Sequence, residues 1–226
     1  MRVDAVGFDL DATLARTERS RVAILAAATD RVGVDRLTRA EYLAAHDEHS
    51  GGDTREPVFA ALLDDRDTNV DPAALAEAYR EALADALAPV GGVPALLGDL
   101  RDQYRVGLLT DGPVATQRGK LDRLGWGELF DAAVVTGALP APKPDERAFA
   151  ALVAGLDTAA ESVAYVGDHP QKDIVGARDA GLIPVQVRYD GGPDTHPAAA
   201  ATVRRDRLAD ELPSVLAGLD EEYDGE

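Results

Sequence analysis

Two aspartates stand two residues apart in Asp9-Leu10-Asp11-Ala12-Thr13, directly after an apolar run. In an extended chain such residues share one face, roughly 6.6 Å apart along the strand, so both carboxylates would address one pocket. Like charges held that close raise one another's proton affinity and oppose folding, which implies a cation between them or a proton held on one. Three further segments offer complementary groups. Thr110, in Thr110-Asp111-Gly112, carries a hydroxyl able to donate to a phosphate oxygen. Lys143 sits between Pro142 and Pro144, whose rings restrict the backbone that presents it, and its compact ammonium could hold a phosphate or pair with Asp9. Gly167-Asp168-His169-Pro170-Gln171-Lys172-Asp173 supplies more carboxylates. Hard oxygen ligands with positions left for water suit magnesium.

A scaffold must bring these distant segments together. Val3 to Leu10 reads as a strand buried on both faces, because Val6, Phe8 and Leu10 fall on one parity while Val3, Ala5 and Gly7 fall on the other. Similar short runs lie at Val106 to Leu109, Ala132 to Val135, Val163 to Val166 and Pro184 to Val187, with a weaker one at Thr202 to Val203. Between strands, Val93, Leu96, Leu97 and Leu100, and again Phe149, Leu152, Val153 and Leu156, follow the spacing of one helix face. Strands alternating with helices imply right-handed crossovers and an α/β fold with a doubly wound parallel sheet, Rossmann-like in outline. Ligands of such open sheets bind outside the carboxyl ends of the strands, where these polar segments cluster.

Residues 16–90 break that alternation. They show no strand-like run, only Ala-rich helical stretches punctuated by Gly33, Gly51-Gly52 and Asp71-Pro72. Asp71 can cap a helix that has Pro72 in its first position, and Leu75, Tyr79, Ala82 and Ala86 then mark the inward stripe. The expected organisation is a core domain from residues 1–15 and 91–226, with a wholly helical cap domain, residues 16–90, inserted after the first strand and closed by Gly91-Gly92. The last helix is placed at about Arg207 to Leu216, with an acidic tail fraying from Asp220.

The 226 residues carry a formal net charge of -18, and lysine appears only at Lys120, Lys143 and Lys172. Such a field repels nucleic-acid phosphates and anionic lipid, so neither is an expected partner. A lysine-poor acidic surface fits a halophilic cytoplasmic protein, because salt near 1 M shortens the Debye length to about 3 Å and screens self-repulsion. With 46% hydrophobic residues but only four Phe and one Trp, the core must be built mainly from Ala, Leu and Val. The absence of cysteine excludes disulfides, thiolate metal sites and cysteine nucleophiles. No run approaches the ~20 apolar residues of a membrane span, and Asp4, Asp9 and Asp11 arrive too early for a secretory signal. A cytoplasmic chain, monomer or homodimer, is the expectation.

In this order and spacing the four segments resemble the motifs of the haloacid dehalogenase superfamily, over nearly the whole core. Asp9-Leu10-Asp11-Ala12-Thr13 matches the DxDxT signature, Thr110 the second motif, Lys143 the third, and Gly167-Asp168 to Asp173 the GDxxxxD fourth. Ile174-Val175-Gly176-Ala177-Arg178-Asp179-Ala180-Gly181 also looks like the helix that follows it, and the insert is similar to the helical cap of the first, phosphoglycolate phosphatase-like subclass. The resemblance implies a Mg2+-dependent phosphatase acting on a small-molecule phosphate ester. By it, Asp9 attacks phosphorus in line, while Asp11 protonates the leaving oxygen and then activates water against the aspartyl-phosphate. Asp9, the backbone carbonyl of Asp11 and Asp168 would hold the metal, with Asp173 supporting it directly or through water. Thr110 and Lys143 would hold the phosphoryl oxygens, with Asp111 and Gly112 beside them on the substrate side.

Two positions depart from the family pattern. Ala12 stands where many relatives have Gly, at little cost if its φ is negative. Asp111 stands where many have Asn, adding an anion near an anionic substrate unless it turns away or pairs. In the insert, His46, His49, Asp53 and Arg55 flank the Gly51-Gly52 break; Arg55 could recognise a substrate carboxylate or second phosphate, or the segment is a solvated helix connection. Asp11 argues against carbon-halogen cleavage, because members with that activity lack an aspartate there. A phosphomutase with the same motifs and a catalytically silent binding module of the same fold stay as alternatives.

Overall fold

A computed structural model describes residues 2–49, 54–64 and 66–223, with side chains up to residue 220; the Gly51-Gly52 break and Asp53 lie outside the described residues. In chain order the elements are β1 (Ala5–Phe8), β2 (Ala15–Thr17), α1 (Arg21–Val32), α2 (Arg39–His49), α3 (Glu56–Asp64), α4 (Pro72–Asp85), β3 (Leu87–Pro89), α5 (Val93–Arg101), β4 (Arg105–Thr110) and α6 (Val114–Leu124). The chain continues through β5 (Ala132–Val135), α7 (Glu146–Leu156), β6 (Val163–Gly167), α8 (Gly176–Asp179), β7 (Ile183–Arg188), β8 (Ala201–Arg204) and α9 (Leu208–Tyr223).

Six strands form one sheet in the order β5-β4-β1-β6-β7-β8, and each adjacent pair runs parallel. The fold is the expected doubly wound α/β type. Every residue of β1 and β6 is buried, which is why these segments carry no polar alternation: a parallel strand covered on both faces has no wet side. Phe8 lies level with Leu108 of β4 and with Val166 of β6, so the chain leaves all three strands at one height. Strand order reverses about β1, the switch point at which such sheets open a crevice.

Close packing under that crevice depends on two small residues. A Cβ on Gly7 or Gly107 would lie 2.6 or 2.7 Å from Leu152, so the backbones of β1 and β4 admit α7 at a distance that no larger residue allows. Phe149, Leu152 and Leu156 of α7 then bury fully with Leu109, Val163 and Tyr165, each such side chain contributing about 1.5–3 kcal/mol of apolar burial.

The described residues divide into two compact units: Met1–Arg16, Pro89–Asp111 and Leu124–Glu226 make the first, and Thr17–Ala88 with Gly112–Arg123 make the second. The helical unit thus takes most of α6, which lies beyond the boundary drawn from periodicity. The reason is visible in α6, whose buried positions are Thr116, Gln117, Lys120 and Leu121 rather than an apolar stripe. Within that unit, Ser20 caps α1 by accepting from Ala23 N–H, and Gly33 ends it in the left-handed conformation. Asp71 caps α4 with Pro72 in the first turn, and Leu75, Tyr79, Ala82 and Ala86 are buried. Tyr42, Phe59 and Tyr79 meet at ring separations of 5.8, 5.2 and 5.5 Å, so three of the few aromatics concentrate in this small core.

Two expectations are corrected. Residues 16–90 are not wholly helical, because β2 and β3 pair as a two-stranded ribbon where the chain leaves and rejoins the first unit. Three-residue strands containing Arg16 and Pro89 leave no periodic signal. The last helix does not fray at Asp220: α9 runs through Pro213 to Tyr223, and Asp220 Oδ1 accepts the Val3 N–H at 2.6 Å, tying the helix to the start of the sheet. Among the described residues, no helix is long and apolar enough to cross a membrane.

Candidate active site

Asp9 is the first residue past β1. Its N–H donates to Val166 O at 2.9 Å, which extends the ladder one step and sets the side chain at the sheet's carboxyl edge. Lys143 arrives from the connection between β5 and α7, and its Nζ lies 2.7 Å from Asp9 Oδ1, 2.6 Å from Asp173 Oδ1 and 3.1 Å from the Tyr165 hydroxyl. Tyr165 in turn donates to Leu109 O at 3.1 Å. The lysine therefore has three oxygen partners and almost no solvent.

Asp173 is brought in by the turn of helix at Pro170–Val175. His169 Nδ1 accepts from the N–H groups of Gln171 and Lys172, and His169 N–H donates to Asp173 Oδ2 at 2.8 Å. Gly167 makes this possible, since a Cβ there would sit 2.5 Å from the Asp173 side chain. Asp168, the residue after β6, accepts from the Tyr189 hydroxyl at 3.0 Å. Asp9, Asp168 and Asp173 each present a carboxylate oxygen within 4.8 Å of the others.

Burial raises the Asp9 proton affinity well above the ordinary carboxylate range, opposed by the Lys143 charge and reinforced by Asp173, Asp168 and Asp11. Burial, with the Asp173 charge, lifts Asp168 to about 6. Desolvation works against the Lys143 charge, but Asp173, Asp9 and Tyr165 outweigh it and hold the ammonium well above its usual range. Three clustered carboxylates, two of them paired with one ammonium, leave excess negative charge in a largely buried site, and a hard divalent cation with oxygen ligands is the species that fits. The Asp11 carboxylate is not one of the converging three.

Thr110 ends β4 with its Oγ1 buried and without a hydrogen-bond partner among the described residues, as is Thr13 Oγ1. A buried, unpaired hydroxyl at a strand tip is a donor available to an arriving oxygen. Gly112 follows with φ 134°, where L side chains strain. Asp111 turns to the protein: Oδ1 accepts from Thr136 Oγ1 and from Lys143 N–H, both at 3.0 Å, and Oδ2 from Lys172 Nζ at 3.1 Å. It fixes the loop that delivers Lys143.

Ala12 does not meet the condition for low cost. Its φ is 65°, in the left-handed region that costs a non-glycine residue about 1–2 kcal/mol. The turn that demands it is closed by Ala12 N–H to Ala15 O at 2.8 Å and Ala15 N–H to Leu10 O at 2.9 Å. In the helical unit, Arg55 Nη1 donates to the Tyr42 hydroxyl at 2.5 Å and its guanidinium lies 5.6 Å from the Tyr79 ring centre. His46 packs against Tyr42, and His49 lies 3.8 Å from Glu48. Sequence reasoning missed Tyr165, Tyr189, Thr136, Arg205 and the Lys172 pairing. Tyr165 alone left a trace, a hydroxyl in an otherwise aliphatic strand.

The Haloacid dehalogenase-like hydrolase family model matches residues 6–187. Glyceraldehyde 3-phosphate phosphatase of Methanopyrus kandleri is 30% identical over 216 residues, 86% of this chain and 88% of that protein. Pyrimidine 5'-nucleotidase YjjG of Escherichia coli is 34% identical over 115 residues, spanning about half of each chain, 50% and 51%. The magnesium-bound HAD-hydrolase YfnB of Bacillus subtilis superposes with a TM-score of 0.73 at 24% identity, covering 96% of this chain and 100% of that one, which shows a shared fold. The match begins inside β1 and ends inside β7, taking in all four loop ends gathered around Lys143, and the chain belongs to the haloacid dehalogenase-like hydrolase family.

Proposed function

We propose that this chain is a magnesium-dependent phosphatase that hydrolyses a small phosphorylated metabolite through an aspartyl-phosphate on Asp9. The observation that carries this reading is the buried Lys143 Nζ bridging Asp9 and Asp173 beside a cluster of three carboxylates. The names of the two relatives, a glyceraldehyde 3-phosphate phosphatase and a pyrimidine 5'-nucleotidase, support a small phosphate ester as substrate.

Asp9, Asp168 and the Asp11 backbone carbonyl would hold the metal, with Asp173 behind them. When bound, magnesium supplies positive charge against the crowded carboxylates and the incoming phosphate. In the first step an Asp9 carboxylate oxygen bonds to phosphorus while the ester oxygen departs with a proton from Asp11. In the second, Asp11 takes a proton from water as the water oxygen bonds to phosphorus, and Asp9 is released with inorganic phosphate. The Lys143 ammonium and Thr110 hydroxyl stabilise charge spread over the phosphoryl oxygens, and because they are fixed in a dry site they need no reorganisation. The helical unit serves as the cap. Arg55 is its candidate selector, so Arg55→Ala should raise KM for the true substrate with metal-dependent turnover retained; unchanged KM removes it from the site.

The test is inorganic phosphate release from a generic aryl phosphate with magnesium in molar salt, comparing the unsubstituted protein with Asp9→Asn. Metal-dependent release that Asp9→Asn abolishes supports the reading. Equal background rates would instead favour a silent module. Migration of label between sugar positions without phosphate release would favour a phosphomutase.

A further inference from the structure

Tyr189 and Arg205 lie outside all four motif segments, yet they join two of them. Each is the first residue past its strand, β7 and β8, and the register pairs Arg188 with Arg204, so the two side chains leave adjacent strands at one level. The Arg205 guanidinium lies 3.8 Å from the centre of the Tyr189 ring. Arg205 Nη1 also donates to the carbonyl oxygen of Ala12 at 3.3 Å. At the other end of the chain of contacts, the Tyr189 hydroxyl donates to Asp168 Oδ2 at 3.0 Å.

The physical consequence concerns orientation. The terminal torsion of an aspartate is broad, so a carboxylate at a strand tip has no intrinsic preference for the oxygen it offers to a cation. A hydroxyl donor on Oδ2 fixes the carboxylate plane and leaves the other oxygen for the metal. The ring that carries this hydroxyl is only part-buried and needs a support, which the planar guanidinium gives by stacking, a geometry that an ammonium does not reproduce. The same guanidinium holds the Ala12 carbonyl, and Ala12 sits at φ 65°, a conformation that persists only where surrounding contacts hold it. Asp11 is the neighbouring residue in that turn.

We propose that Tyr189 and Arg205 are positioning residues for the divalent-cation site: Tyr189 orients Asp168, and Arg205 couples Tyr189 to the turn that carries Asp11. This inference rests on the magnesium reading above. Partners that orient metal ligands typically account for about 10–100-fold in metal affinity.

The experiment is calorimetric titration of Mg2+ into the full chain in molar salt, for the unsubstituted protein, Tyr189→Phe and Arg205→Lys, with thermal unfolding of each metal-free variant alongside. Tyr189→Phe keeps the ring and the stacking but loses the hydroxyl. It should bind Mg2+ about 10–100-fold more weakly with a near-normal metal-free Tm, and saturating Mg2+ should return kcat toward that of the unsubstituted protein. Arg205→Lys should weaken Mg2+ binding in the same direction, and combining the two changes should weaken it by less than the product of the single effects. If the unsubstituted protein binds Mg2+ and Tyr189→Phe binds it equally well, the positioning role is overturned while the phosphatase reading stands. If the unsubstituted protein takes up no Mg2+, both fall.

Discussion

Lys143 Nζ lies 2.7 Å from Asp9 Oδ1 across 134 residues of chain, with side-chain exposures of only 2% and 9%. Removing one partner of a buried ion pair leaves the other uncompensated, at a typical cost of about 3–5 kcal/mol. Lys143→Met is therefore expected to lower the metal-free Tm markedly, and added Mg2+ to recover part of the loss while phosphate release stays absent. Thermal unfolding with and without Mg2+ checks this; an unchanged metal-free Tm would show that the pair carries no such burden.

Asp168 gives a pH signature. Its folded pKa is raised from 3.8 to about 6, by burial first and then by the Asp173 charge. Between those values the folded state holds the proton more tightly than the unfolded one, so the stability this group contributes is present below pH 4 and is lost as pH rises through 6. Asp168→Asn should therefore stabilise the metal-free protein above pH 6, by about 1–3 kcal/mol, and make little difference near pH 4. The Tm difference between the two proteins, followed from pH 4 to 8, reads it. A gap that shrinks as pH rises would reverse the assigned sign.

Asp111 links Thr136, Lys143 and Lys172 through its two oxygens. Asparagine can keep the Oδ1 contacts and loses the part-exposed ion pair with Lys172, an interaction worth about 0–1 kcal/mol. Asp111→Asn should thus retain most kcat, whereas Asp111→Ala releases the Lys143 backbone and should lower kcat by at least about tenfold, the size of a misplaced catalytic group. Steady-state kinetics on an aryl phosphate separate the two, and equal kcat values would remove Asp111 from the positioning of Lys143.

The net charge of -18 predicts a response to salt. Raising KCl from about 0.1 M to 1 M shortens the screening length from about 10 Å to 3 Å and suppresses repulsion among surface carboxylates. Tm should climb over that range. A flat or falling profile would leave the halophilic reading without support.

The central strands were legible because burial on both faces leaves unmixed apolar runs; the edge strand β5, though part-exposed, is all Ala and Val and matches the run at Ala132 to Val135 to the residue, while the other runs differ by one or two at their ends. Asp9 and Asp168 stood out because charged residues at the ends of such runs have few other uses, Lys143 because it lies between two prolines in a chain with three lysines, and Asp173 only through its place in the segment that begins at Gly167. Tyr189 and Arg205 did not, since their roles come from the β7–β8 register, which no local pattern encodes. The sign of the Ala12 φ was not legible because it is imposed by the hydrogen bonds from Ala12 N–H to Ala15 O and from Ala15 N–H to Leu10 O, not by its own preference. The ribbon of β2 and β3 was invisible because three residues are too few to show a period.

The central place of β1 has a consequence for synthesis. Ala5 pairs with Arg105 on one side and Val163 on the other, so the first strand to be translated finds its neighbours only after the ribosome has made a hundred and then more than a hundred and fifty further residues. At about 5–20 residues per second, that is many seconds during which the most apolar segment near the amino terminus is without a partner and open to aggregation. A nascent chain halted before residue 163 would already contain Asp9 and Lys143, yet Asp9 would have no Val166 carbonyl to hold it at the sheet edge.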